Sequence, residues 1–176
     1  MTRFVAFLGG INVGGHRVTM DRLRGEFVDL GLDDVATFIA SGNVIFSSAG
    51  SGAGIEKRVE EHLADQLGWP VPTFVRRAAE VLAIVEFAAS KPFGKIPDGH
   101  THMVALTQAA IDASRKAEIA KHSTAHDRFH VHGREVHWLI GGNMSDSPIT
   151  LPMLAKLIGR NTTRNITSLT RLADRL

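Results

Sequence analysis

The first half of the chain alternates between continuous apolar runs and apolar residues at helical spacing. Residues 4–8 are a continuous apolar run that glycine ends, which predicts a buried central strand. Between Met20 and Leu30 the apolar side chains recur at helical spacing, with Thr19 placed as an N-cap and Gly31 as a stop, so this segment is predicted to be an amphipathic helix. The same criteria predict strands at 35–39 and 43–47 around the Ser41-Gly42 turn, a helix from 55 to 67 and a strand at 71–76.

The second half of the chain repeats this order of elements. A helix over residues 78–90, which Pro92 ends, connects the two halves. The elements predicted after it are a strand at 102–107, a helix at 110–122, a hairpin of 129–132 and 136–140 around Gly133-Arg134, a helix at 151–158, a strand at 161–166 and a terminal helix carrying Leu169, Leu172 and Leu176.

Both halves follow the order strand, helix, strand, strand, helix, strand. The predicted fold class is therefore α+β, with two tandem ferredoxin-like (βαββαβ) subdomains from an internal duplication. We expect the first subdomain at residues 1–77, and the connecting helix, the second subdomain and the C-terminal helix at residues 78–176. The order of the elements carries this prediction, because the two halves barely match residue by residue.

This topology predicts that two polar, glycine-rich turns lie together. A right-handed crossover makes the first and second strands parallel. The loop that leaves the first strand and the hairpin that joins the second and third strands then lie at the same edge of the sheet. These two turns, residues 9–17 and 41–43, are called the glycine-rich rim below.

Composition narrows the function by exclusion. The chain has no cysteine, which excludes a disulfide scaffold, a thiol nucleophile and a thiolate metal site. Its N-terminal apolar run is unlike a signal peptide, and no apolar segment is long enough to span a membrane, so we expect a cytoplasmic protein without a membrane partner. A net charge of +2 is too small to indicate nucleic acid.

Three short blocks along the chain have the spacing of motifs in a known family. They are Gly10-Ile11-Asn12-Val13-Gly14-Gly15, Ser41-Gly42-Asn43-Val44-Ile45-Phe46 and Thr162-Thr163-Arg164-Asn165. Together they resemble the domain-of-unknown-function 1697 family, which is uncharacterised and mainly bacterial. The resemblance implies a fold of two ferredoxin-like halves, and it implies no established catalytic activity.

The chain departs from the family's pattern at three places. Gly9 stands where the family usually has Arg, Lys91 where it often has Asn before Pro-Phe, and Ile166 where it often has Trp. The missing arginine removes an anion-pairing guanidinium from the rim. If the family's rim binds an anion, this chain is expected to bind it more weakly or to use Arg17 instead.

Two interpretations of the glycine-rich rim are open. In the first, exposed N–H groups and the following helix N-terminus bind an anion; in the second, the glycines only permit positive φ in a tight connection. The loop lacks both the Gly-Lys-Ser/Thr of a P-loop and a Gly-x-Gly-x-x-Gly run. Side chains here can likewise contact a ligand or stabilise their own turns. The candidate ligand-binding residues of the rim are Gly10, Asn12, Gly14, Gly15, Arg17, Ser41, Gly42 and Asn43.

A second group of candidates, Thr163, Arg164 and Asn165, lies near the end of the chain. These residues supply a hydroxyl, a guanidinium and an amide, which together suit an anion. A surface ion pair with polar residues at a strand end explains them nearly as well.

The histidines of the second half suggest the hypothesis of a metal site. If Gly133-Arg134 is a two-residue turn, His130 lies opposite His137 and His132 opposite Glu135, so that these side chains share one sheet face, which His102 joins from the neighbouring strand. A polar sheet face that titrates near neutral pH is the alternative. No metal is assigned, because no spacing signature supports one.

Three functions from different classes follow. The first is a module that binds a small anion or nucleotide at the rim, with Arg164 as a candidate assisting residue. The second is an enzyme at the same rim, with His16 as its general acid or base. The third is a protein-interaction module without a small-molecule site. Nucleic acid is not an expected partner, because the chain has no Tyr and lacks the aromatic run of RNA-recognition modules. Cofactor, enzymatic activity and oligomeric state are left open.

Overall fold

The computed structural model describes all residues from 1 to 176 and shows a mixed α+β fold. Two four-stranded sheets with antiparallel neighbours are combined with six α-helices. Contacts divide the chain into two compact units: Met1–Leu82 with Leu172–Leu176, and Ala83–Arg171. None of the helices has both the length and the apolar character that crossing a membrane requires.

The first unit has its strands in the order β2-β3-β1-β4. Its elements are β1 (Thr2–Leu8), α1 (Met20–Asp29), β2 (Asp33–Phe38), β3 (Asn43–Ser48), α2 (Gly52–Leu67), β4 (Thr73–Arg77) and the start of α3 (Ala78–Ala89). Since β1 and β2 are both antiparallel to β3, they run parallel to each other, as the crossover predicts.

The central strand β1 is buried on both faces. Phe4 packs in the core formed with α1 and α2, where its ring lies 5.7 Å from that of Phe46. Val5 and Phe7, which alternate with these core positions, are also fully buried. Burial of both faces explains why the strand is a continuous apolar run in the sequence.

The start of α1 follows the predicted signal, whereas α2 begins at Gly52, three residues before its predicted start. The hydroxyl of Thr19 accepts a hydrogen bond from the N–H of Arg22 at the start of α1, and that of Ser51 accepts one from Gly54 at the start of α2. Gly68 ends α2 in the left-handed conformation, with φ of 81°. The Thr19 cap was predicted because capping depends on neighbours in the chain, whereas the Ser51 cap was not predicted.

The edge strand β4 is protected by carboxylates of α2. The side chains of Glu56 and Glu60 accept hydrogen bonds from the N–H groups of Val75 at 2.8 Å and Thr73 at 3.2 Å. Glutamates four residues apart lie on one face of a helix, so a single helix satisfies two edge donors. The arrangement blocks pairing of this edge with another strand.

The second unit has the corresponding strand order, β6-β7-β5-β8. Its elements are β5 (His100–Thr107), α4 (Ala113–Lys121), β6 (Asp127–His132), β7 (Glu135–Gly141), a 3-10 turn (Met144–Asp146), α5 (Leu151–Ile158), β8 (Asn161–Asn165) and most of α6 (Ile166–Ala173). Its core cluster is built around Trp138, which is fully buried.

A buried aspartate joins three segments of the second unit. The carboxylate of Asp127, at the start of β6, accepts hydrogen bonds from Trp138 Nε1 at 2.6 Å and from Ser147 Oγ at 2.9 Å. His126 Nδ1 lies 3.0 Å from the same carboxylate. This explains why β6 begins earlier than its apolar pattern predicts, and the 3-10 turn before Ser147 was not predicted at all.

Candidate functional site

The two turns of the glycine-rich rim lie together, as the topology predicts. The N–H of Leu8, at the end of β1, donates to the carbonyl of Gly42 at 2.8 Å. The side-chain amide of Asn12 donates to the carbonyl of Ala40 at 3.1 Å. The loop after β1 is therefore fastened to the β2–β3 hairpin at two points.

Gly42 is required for the close approach of these two turns. Its φ is 75°, and an added Cβ would lie 3.1 Å from side-chain atoms of both Ile11 and Leu8. Positive φ and a filled neighbourhood both exclude other residues here. Gly42 is buried, so its role in the rim is to permit packing.

The two asparagines of the rim use their side chains to hold backbone. Besides its bond to Ala40, Asn12 accepts from the N–H of Val18 at 3.0 Å, and its φ of 57° is one that asparagine tolerates. The amide of Asn43, which is buried, donates to Phe38 O at 3.1 Å and Ser41 Oγ at 2.9 Å. These contacts match the interpretation in which Asn12, Ser41 and Asn43 stabilise their turns.

Gly14 and Gly15 form the centre of a tight turn. Both have positive φ, and the N–H of His16 donates to the carbonyl of Val13 at 3.1 Å, which makes a type I′ turn. The turn separates the glycines from the start of α1, so they do not form a phosphate cradle at that helix. Their own N–H groups are exposed and make no hydrogen bond within the protein.

Arg17 and His16 follow this turn. Arg17 is exposed and has no acidic partner. The exposed ring of His16 packs against Trp69, with ring centroids 4.7 Å apart. The indole Nε1 of Trp69 is buried and has no hydrogen-bond partner. Sequence reasoning missed Trp69, although its position directly after the Gly68 helix stop could have indicated a side chain turned back toward the loop.

The Thr163-Arg164-Asn165 group belongs to the second unit, in β8. Arg164 is only 7% exposed, so the interpretation as a surface ion pair is wrong. Its Nη1 donates to Thr162 Oγ1 and to the carbonyl of Thr163, both at 2.8 Å. Burial lowers the pKa of Arg164 to about 10, which still leaves the guanidinium charged at neutral pH. Asn165 accepts a bond from the N–H of Thr167 at the start of α6.

The predicted histidine face is present in the second unit. His130 pairs with His137 and His132 with Glu135, and the β5 residue His102 bonds to His137 with Nε2 and Nδ1 2.9 Å apart. Sequence reasoning missed Phe87 of α3, which stacks on His132 at a centroid distance of 4.2 Å. The same ring lies 4.8 Å from that of His137.

Two histidines of this face, His102 and His137, have pKa values well below the ordinary value. Burial lowers the pKa of His102 to about 4 and, together with the neighbouring histidines, lowers the pKa of His137 to about 3. Both rings are therefore neutral at physiological pH. No group of three or more His, Asp or Glu side chains is arranged so that it could hold a metal ion.

Comparison with known proteins identifies a family and a fold. The family model described as "Protein of unknown function (DUF1697)" matches residues 1–137, which include the first two motif blocks but not Thr162–Asn165. No curated protein matches the chain in sequence. A solved structure, "The structure of conserved bacterial protein SP0830 from Streptococcus pneumoniae", is similar over 100% of this chain and 98% of that one, with a TM-score of 0.76 and 21% identity. At that identity the likeness concerns the fold.

Proposed function

Because the chain belongs to the DUF1697 family, whose function is unknown, we propose from its site alone that it is a module that binds a small anion or nucleotide at the glycine-rich rim. We further infer that the two units are ferredoxin-like subdomains related by duplication. The proposed ligand carries phosphate, and the proposed site belongs to the first unit.

Equivalent contacts in the two units support a duplication. The Leu8 N–H to Gly42 carbonyl bond of the first unit has a counterpart in the bond from the N–H of Thr107 to the carbonyl of Arg134, at 3.0 Å. With these positions superposed in register, the cross-strand pair Val5–Ile45 corresponds to Val104–His137. Equal strand order and equal register are what duplication of one βαββαβ unit would leave.

The observation that carries the rim proposal is the length of the loop after the first strand. Both units fasten this loop to their hairpin, but the first uses residues 9–19 and the second only residues 108–112. The second unit shows that the short connection is enough to close the fold. The additional residues of the first unit form the exposed Gly14-Gly15 turn, which packing alone does not require. Long loops on a rigid scaffold commonly carry function.

The chemistry of the rim favours an anion. Its free donors are the N–H groups of Gly14 and Gly15 and the guanidinium of Arg17, and neither turn contains an acidic residue. Backbone N–H groups in a rigid turn and an unpaired guanidinium are common phosphate contacts. Val13 and Ile39 are 60% and 40% exposed, which gives a nucleotide base apolar surface to cover.

The test is a titration of the 15N-labelled protein with ADP and with inorganic pyrophosphate, followed through backbone amide resonances. We expect the resonances of Gly14 and Gly15 to shift with saturation. Arg17→Gln, which keeps a polar side chain but removes the charge, should weaken binding about tenfold or more, since a charge-assisted bond contributes about 1.5–3 kcal/mol.

Lys57→Gln is the matched control, because Lys57 is an exposed cation on α2 of the same unit and lies outside the rim. It should leave both titrations unchanged. Titrations in which neither probe moves the Gly14 and Gly15 resonances, or in which the two variants weaken binding equally, would reject the rim as an anion site.

A further inference from the structure

A cavity of about 510 Å³ lies inside the second unit, beside the loop that follows α3. Its volume is in the range of small-molecule sites, about 300–1,000 Å³. The residues of its wall that matter below are Lys91, Pro92, Phe93, Lys95, Ile96 and His102. The N–H of Gly94 donates to the carbonyl of Lys91 at 2.8 Å, so the loop is closed by a turn of its own.

His102 lines the cavity and has one ring nitrogen without a hydrogen-bond partner in the protein. His102 is 6% exposed, and its single hydrogen bond joins Nε2 to His137 Nδ1. The other nitrogen of His102, Nδ1, therefore has no partner within the protein. The ring of Phe93 meets His102 edge to face, with centroids 5.3 Å apart, so the histidine and an aromatic ring line the cavity together.

The His137 ring indicates which proton His102 offers. His137 Nε2 is buried without a partner. An orphaned buried N–H is rarer than an unpaired acceptor, so the favoured arrangement leaves Nε2 bare and puts the proton of His137 on Nδ1, donated to His102. His102 is neutral, because burial lowers its pKa to about 4, and its own proton is then on Nδ1. This nitrogen donates to whatever occupies the cavity.

The open side of the cavity is cationic. Lys91 and Lys95 are exposed, and neither forms an ion pair. The guanidinium of Arg128 lies over the Phe93 ring, 5.5 Å from its centroid, and has no carboxylate partner either. No acidic residue lines the cavity. An anionic group at the mouth would therefore be attracted by three cations and repelled by no lining carboxylate.

We propose that this cavity binds a small aromatic carboxylate with a hydroxyl opposite the carboxylate. The ring packs against Phe93 and Ile96, the carboxylate lies at the mouth near Lys91 and Lys95, and the hydroxyl oxygen accepts from His102 Nδ1–H. This site lies in the second unit and is independent of the rim, so the two proposals can fail separately.

The experiment uses three probes of the same shape: 4-hydroxybenzoate, benzoate, which lacks the hydroxyl, and 4-hydroxybenzamide, which lacks the charge. Binding is followed by amide resonances of the 91–96 loop. We expect 4-hydroxybenzoate to bind about fivefold or more tightly than benzoate, because benzoate leaves His102 Nδ1–H unpaired. We expect it to bind about tenfold more tightly than the amide, because the amide lacks the charge that the cations attract. Its binding should also shift the imidazole nitrogen resonances of His102, with the proton found on Nδ1.

The variants separate the two ends of the ligand. Lys91→Gln with Lys95→Gln should reduce the preference for 4-hydroxybenzoate over the amide, with Arg128 left as the remaining cation, while the preference for the hydroxyl is unchanged. His102→Phe should do the reverse. Because His102→Phe disturbs a buried pair, Ile96→Trp is a second test: Ile96 is 41% exposed, and the larger side chain should fill the cavity and remove binding of all three probes.

Lys116→Gln, which removes an exposed cation from α4 of the same unit, is the control and should change nothing. Equal affinity for the acid and the amide, no binding of any probe, or full binding in Ile96→Trp would each overturn the proposal.

Discussion

The two units close the same junction by different means. In the second, the N–H groups of Thr107 and Ile111 donate to the carbonyls of Arg134 and Gly133, at 3.0 and 3.1 Å, and the hairpin side chain of Arg134 donates to the loop carbonyl of Gln108 at 3.3 Å. In the first, the side chain that fastens the loop is that of Asn12, which belongs to the loop itself. A side chain reaches the hairpin from a longer loop, so the first unit can keep the Gly14-Gly15 turn exposed without loosening the junction.

The same register contrasts the interiors of the units. The buried position occupied by Ile45 in β3 is occupied by His137 in β7. Ile45 has no polar group to satisfy, whereas His137 needs the bond to His102 and retains an unpartnered Nε2. At this position the second unit therefore bears a cost of an unpaired buried group that the first unit avoids. The histidine pair that bears this cost includes His102, which lines the cavity.

The largest expected effect is acid sensitivity of the second unit. His102 and His137 have folded pKa values of about 4 and about 3, below their ordinary value of 6.5. The unfolded chain therefore binds more protons below pH 6.5, so stability is complete above that pH and falls as the pH drops toward 4. At pH 5 the two histidines together should lower the free energy of unfolding by on the order of 4 kcal/mol relative to its value above pH 6.5.

Urea unfolding at pH 7 and pH 5 measures this effect, and the two tryptophans separate the units. In Trp69→Phe the remaining Trp138 reports the second unit, and in Trp138→Phe the remaining Trp69 reports the first. His137→Ile copies the residue of the first unit and should remove about half of the acid loss, since His102 remains. An acid loss of the same size in His137→Ile and in the parent protein would show that other groups titrate instead.

The next effect concerns the hairpin glycines. Gly42→Ala should destabilise by about 3 kcal/mol, because it combines left-handed strain with overpacking against Leu8 and Ile11. Gly133→Ala is the matched variant: its φ of 62° is similar, but an added Cβ would meet only a Glu135 carboxylate oxygen at 3.5 Å. It should cost about 1 kcal/mol. Thermal or urea unfolding gives both values, and equal costs would mean that close packing at Gly42 contributes nothing.

The smallest effect tests the two fastenings. Asn12→Ala should cost about 1–2 kcal/mol, since it removes two bonds and leaves the N–H of Val18 without its partner. Thr107→Val removes the bond from the threonine hydroxyl to the carbonyl of Arg134 and leaves the backbone bonds of the second junction in place. It should therefore destabilise the protein by about 1 kcal/mol. Amide relaxation should show the Gly14-Gly15 turn mobilised in Asn12→Ala, with no comparable change in the 108–112 loop of Thr107→Val. A Gly14-Gly15 turn that stays rigid in Asn12→Ala would show that the side chain of Asn12 does not hold the loop.

Secondary structure was predictable wherever its signals are local. The α1 cap at Thr19 and the His130–His137 register are both confirmed, because capping and hairpin pairing depend on neighbours in the chain. The helix predicted at 110–122 begins only at Ala113, where Asp112 caps it. The early start of β6 at Asp127 depends on Trp138 and Ser147, which no local pattern connects.

The sequence alone determined the order of elements, the α+β class and the meeting of the two glycine-rich turns, because periodicity and chain connectivity constrain these directly. Only the tertiary structure decided what those residues do. In it Arg164 is buried, the side chain of Asn12 bonds to backbone groups, and Phe87 packs on the histidine face. Each outcome depends on packing and hydrogen-bond partners that are distant in the sequence. The spacing of residues along the chain does not identify these partners.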